Sequence, residues 1–197
     1  MSKRLLAAAC VAIASHAHAD SPPLPPSNTA IEFHHQGFDH YFITSLLDEI
    51  AALDAGKLTG WSRTGRGFSI FGVPPPAPVS AAPVCRFYIP PEHGDSHFFS
   101  ASAAECAAIR GKIGIDPNYS GYIEESASAF FVALPDTSTG SCPAGTVVVY
   151  RLFNNRVDAN HRYTTDPAIK AAMIARGYVA EGYGPDAVGM CVPLSIP

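Results

Sequence analysis

Three histidines stand in one recurring phrase: His40 in FDHYFITS, His97 in DSHFFSAS and His161 in ANHRYTTD. Each is followed by an aromatic two residues later and a small capping residue five later. A neutral imidazole can ligate a metal, move a proton, or donate one hydrogen bond and accept another. Three imidazoles meeting at one point with a water would make a hydrolytic zinc site, so His40, His97 and His161 form one candidate metal set. Three held apart would be either buried groups with repeated hydrogen-bond partners or parts of separate ligand pockets.

The pocket reading draws on a second recurring pair. Gly60-Trp61, Gly121-Tyr122 and Gly177-Tyr178 each place a flat aromatic face after an expected helix, suited to stacking on sugar rings. Three residues beyond stand Thr64, Glu125 and Glu181. The two acids, with Asn155 or Asn160, could bond sugar hydroxyls, and several weak sites would reinforce one another by avidity. The plainer alternatives are core-filling aromatics and structural imidazoles, and the sequence leaves all of these open. Other chemistry is poorly served. There is no H-E-x-x-H and no G-x-S-x-G. Glu124 and Glu125 are strand neighbours pointing to opposite faces, so they cannot flank one glycosidic bond. No cofactor is implied.

The elements that must carry these residues also recur. Before each histidine lies an apolar or aromatic run (IEFHH, VCRFYI, VVVYRLF), and the histidine opens a second one (HYFIT, HFFSA, HRYTT). Both read as strands. Ser45, Ser102 and Asp166 are placed to cap helices, with Asp48 and Glu105 three residues on and Pro167 at a first helical position. Gly56 and Gly177 read as helix stops. GFSIF, SAFFVAL and VGMCVPL then close each copy. The spacing therefore predicts three strand-strand-helix-strand repeats, at about 31–73, 84–134 and 147–194, in a domain over 31–194. Three copies suggest an α+β fold in a closed pseudo-threefold arrangement, trefoil-like or propeller-like, with its helices outside.

Composition bounds the rest. The 197 residues are 47% hydrophobic and 15% charged, with a formal net charge of -4, which predicts a folded chain with no basic stripe for nucleic acid. Lys3-Arg4, the apolar run from Leu5 to Ala14, and Ala17-His18-Ala19 read as a secretory signal over 1–19. A lipidated Cys10 is the rival, and a Pro-rich leader follows over 20–30. No transmembrane segment is expected in the mature chain. The four remaining cysteines suit two disulfides in an oxidising compartment, with three possible pairings. Cys85–Cys106 with Cys142–Cys191 is the pairing that keeps each bridge within one repeat.

VYRLFNN, NHRYTTD and RGYVAEG, with CRFYIPP, SHFFSAS and SGYIEES, resemble a repeat family of exported bacterial proteins whose domain has no assigned function. The family pattern is Y-R-F/L-Y/F-N, then H-F-Y-T-T, then G-W/Y-x-x-E-G. The first copy is the most degenerate. Such repeats also occur beside cell-wall-cleaving and sugar-cleaving enzymes. The resemblance thus implies an exported, periplasmic or secreted, non-enzymatic module binding glycan or another envelope component. A metal-dependent hydrolase and a structural or protein-interaction module are the alternatives.

Overall fold

The structure is a computed structural model that describes residues 27–75 and 80–194. The signal reading over 1–19 and Cys10 lie outside the described residues. Ten strands and three short helices follow in order. The first unit holds β1 (Ser27–His35), β2 (His40–Thr44), α1 (Leu47–Asp54) and β3 (Trp61–Phe71). The second holds β4 (Ala81–Ile89), β5 (Ser96–Ser100), α2 (Ala103–Arg110) and β6 (Ile123–Ala133). The third holds β7 (Thr146–Phe153), β8 (His161–Thr164), α3 (Pro167–Ala175), β9 (Val179–Glu181) and β10 (Val188–Pro193). The expected strand-strand-helix-strand order is present in each, although β1 already begins inside the segment read as leader.

Within each unit the first strand is central. β1 pairs antiparallel with β2 and β3, β4 with β5 and β6, and β7 with β8, β9 and β10. The units then join through their last strands by single residue pairs, Phe71 with Phe131 and Cys191 with Ala133. The result is one sheet of ten strands along the path β2-β1-β3-β6-β10-β7-β8, with β4 branching from β6 and carrying β5, and β9 branching from β7. This corrects the expected architecture. The molecule is mainly antiparallel sheet with three short helices, not a closed trefoil or propeller. Copy number alone does not specify closure; the edges between copies do, and here they meet over one residue pair each.

The core explains why the last strands converge. Phe68 and Ile70 on β3, Phe130 and Val132 on β6, and Met190 and Val192 on β10 are all buried in one cluster. Each pair is two residues apart and so shares a strand face. β8 cross-links the other units. The Tyr163 hydroxyl donates to Phe99 O and accepts from Phe99 N, both at 2.8 Å. Asn160, fully buried, bonds both backbone groups of Tyr41 at 2.8 Å. The turn before β5 abuts Ala159 so closely that a Cβ on Gly94 would lie 2.6 Å from its carbonyl oxygen, with φ at 137°, so only glycine fits there.

The described disulfides are Cys85–Cys106, fastening α2 to β4, and Cys142–Cys191, fastening the segment after β6 to β10. Such bridges persist in oxidising surroundings. Among the described residues no helix is long and apolar enough to cross a membrane.

Candidate functional site between the units

The repeated strand places an arginine at equivalent points of β4 and β7, Arg86 and Arg151, each paired across its strand with an aromatic, Phe99 or Tyr163. Each arginine is buried and reaches a carboxylate in its own unit and another on the preceding unit's helix. Arg151 donates through Nη1 and Nη2 to Glu105 on α2, both at 2.8 Å, and through Nε to Glu181 at 2.9 Å. Arg86 donates to Glu49 on α1 at 3.0 and 2.7 Å and lies 2.6 Å from Glu125. His161 Nε2 stands 3.3 Å from Glu181, and His97 Nε2 stands 3.1 Å from Glu125. Glu105 also accepts from Ser100, and Glu49 from Thr44, each at 2.5 Å. An aromatic of the preceding unit faces each guanidinium: Phe98 at 4.9 Å from Arg151 and Phe42 at 5.3 Å from Arg86.

Each cluster opens on a cavity at a unit boundary. The larger, about 340 Å³, lies between the second and third units. Arg151, His161, Glu105 and Glu181 form its polar side, and Phe98, Tyr119, Tyr122 and Phe153 its aromatic side. Lys112 sits at the rim, its ammonium 4.6 Å from the Tyr119 ring centroid. The His161 ring stacks on Phe153 and meets Phe98 edge-on. A second cavity of about 270 Å³ lies between the first and second units, lined by the Arg86 cluster, Phe42, Leu53, Leu58 and Tyr88.

The electrostatics of the larger cavity are settled by its arginine. Hydrogen bonding to Arg151 holds the Glu105 carboxyl below its ordinary value, against the raising effect of burial. Burial alone would raise Glu181, but His161 and Arg151 together bring it below the ordinary value. Burial also pushes the His161 imidazole down, outweighing the pull of Glu181. At neutral pH the cavity therefore presents two carboxylates, a neutral imidazole and a guanidinium. Neither acid is held protonated as a general acid must be.

The family model for a domain of unknown function, DUF5648, matches residues 32–188. The chain belongs to that family. No curated protein and no solved structure matches it. The matched span of this DUF5648 chain includes both arginine clusters and both cavities.

The structure redistributes the residues singled out by sequence. His97 with Glu125, and His161 with Glu181, are true counterparts. His40 is not theirs. Thr44, Ser100 and Thr164 each accept the backbone N–H two residues on, which fixes the register between units. Three residues before them stand Tyr41, His97 and His161. His40 is thus one residue out of step and faces the other side of its strand. It is 1% exposed and bonded to Asp158 of the third unit at 3.2 Å. The three imidazoles serve three different carboxylates, and no group of three His, Cys, Asp or Glu side chains among the described residues could hold a metal ion.

The same offset explains the helix starts. The cap of α1 is Leu46, without a side-chain bond, where Ser45 was expected, whereas Ser102 and Asp166 cap α2 and α3. Of the three aromatics, Tyr122 lines the larger cavity. Trp61 packs against the central core, edge-on to Phe42, and Tyr178 is buried beside Tyr41 and Met173. Asn160 is committed to the Tyr41 backbone. Arg86, Arg151 and Glu49 were not singled out from sequence, and Glu105 was read only as a capping residue. The signal was the arginine shared by VCRFYI and VYRLF.

Proposed function

We propose that this DUF5648 chain is an exported, non-enzymatic binding module, carried out of the cytoplasm by the signal at 1–19 to the periplasm or beyond. Its ligand is a glycan of the cell envelope. The observation that carries this reading is the cavity between the second and third units. Aromatic rings on one side and a fixed set of donors and acceptors on the other suit a sugar, whose ring has an apolar face and a polar edge. Hydrogen bonds from Arg151 hold both carboxylates ionised and in place while leaving them lone pairs for sugar hydroxyls, which supports recognition rather than turnover. The association of similar repeats with cell-wall-cleaving and sugar-cleaving enzymes points the same way.

Pull-down on insoluble peptidoglycan and on chitin tests it. Retention is expected on at least one, weakened about tenfold in Tyr122→Ala, the loss of one stacking contact. Folded Tyr122→Ala and Phe153→Ala proteins that are retained as well as the parent would sink the proposal.

A further inference from the structure

We propose that the cavity between the first and second units is a second binding site, taking one ring of an uncharged sugar, so that the chain grips two places on a polymeric glycan. This rests on the binding role proposed for the larger cavity.

The two cavities are built from the same positions. Arg86 stands for Arg151, His97 for His161, Glu125 for Glu181 and Glu49 for Glu105. Phe42 stands for Phe98, and Tyr88, cross-strand from His97, stands for Phe153, cross-strand from His161. Leu53 on α1 takes the place of Ile109 on α2, four residues after the helix glutamate in both. Coincident retention of two acids and an imidazole around one arginine, with a cavity beside them, is not a packing necessity at a second boundary, since the remaining boundary docks on the single Arg162–Glu32 pair with Met173 at the helix position.

Charge selects the ligand class. Arg86 is already engaged by Glu49 and Glu125, and no lysine lines this cavity. An acidic sugar would bring a third carboxylate with no free cation to meet it. A neutral pyranose can lay its face on Tyr88 and bond its hydroxyls to the glutamates. Because both cavities lie on one chain, a polymer held at one is offered to the other at raised effective concentration.

Titration calorimetry on the full chain tests this, using the hexamers of N-acetylglucosamine, glucose and galacturonic acid. Short monomer units of the hexamer that binds then report stoichiometry. The expected result is two monomer sites per chain, and for galacturonic acid no site that Leu58→Asp removes. Tyr88→Ala and Leu58→Asp should each reduce two sites to one, and so should Phe153→Ala at the other cavity. Leu58 is half exposed, so its variant stays folded if Tyr88→Ala does not. One site in the parent, lost in Phe153→Ala but kept in Leu58→Asp, would overturn the second site and leave the first reading intact. No binding of any hexamer would overturn both.

Discussion

The boundary between the second and third units and the boundary between the third and first are made from corresponding residues, yet in one the ion pair lines an aromatic cavity and in the other it is buried, beside a polar hollow lined by Glu32, Arg66 and Asp166. Where Arg151 stands in the former, Glu32 stands in the latter, and where Phe98 faces the guanidinium, Arg162 takes its place. The charge is inverted but the pairing survives: Arg162 holds Glu32 through two bonds of 2.9 Å. The Glu32 side chain is 3% exposed, against 42% for that of Glu105. Met173 fills the position of Ile109 and is buried with Tyr41 and Tyr178, and the Arg162 guanidinium lies 3.9 Å from the Tyr41 ring centroid. The difference separates two uses of one scaffold. A sealed ion pair fixes how units dock, whereas an ion pair left at a cavity wall keeps polar groups within a ligand's reach.

The largest expected effect tests the sealed pair. Glu32→Ala leaves Arg162 buried without a counter-charge and should cost about 3–5 kcal/mol in denaturant unfolding. Glu105→Ala, at a partly solvated carboxylate, should cost about 1 kcal/mol or less while weakening glycan retention. Equal losses would erase the distinction between the boundaries. Next in size is the helix contact. Met173→Ala should cost about 2–4 kcal/mol by opening a hole in packed surroundings. Ile109→Ala enlarges a cavity that already exists and should cost about 1 kcal/mol, with α2 still fastened by Cys85–Cys106.

Much of one unit was legible in the sequence, because strand and helix signals are local. Apolar runs, the caps Ser102 and Asp166, and the stops Gly56 and Gly177 all lie within a few residues of what they specify. The joining of units was not legible, since it rests on single pairs such as Phe71 with Phe131, and no local pattern encodes that edge. The candidate site was half legible. His97, His161, Glu125, Glu181 and Tyr122 were visible as recurrences, but matching letters put His40 in register where Tyr41 belongs. The five-residue step from Thr44 to Glu49 and from Ser100 to Glu105 carries the true register, because the hydroxyl and carboxylate bond each other. Arg151 and Glu105 meet across a unit boundary, so neither announces the other in sequence.

The smallest effect expected is in acid. Burial lowers the folded-state pKa of His161 below its ordinary value of 6.5. Between those two values the unfolded chain binds a proton that the folded chain refuses, so stability is full above 6.5 and declines as the pH falls through the folded value. His40, lowered by burial despite Asp158, adds to the same decline. The Glu32–Arg162 pair itself has no histidine, and His40 acts through its separate contact with Asp158 between the first and third units. His161→Phe, flanked by Phe98 and Phe153, should therefore flatten the fall of the unfolding midpoint below pH 6.5 without abolishing it, and His40→Asn should remove a further part. The steeper loss below about 4.5 should persist in both variants, because Glu105 and Glu181, also held below their ordinary value, must then take up protons and release Arg151. An unchanged slope in His161→Phe would move the acid sensitivity away from the open boundary and weaken the contrast between the two.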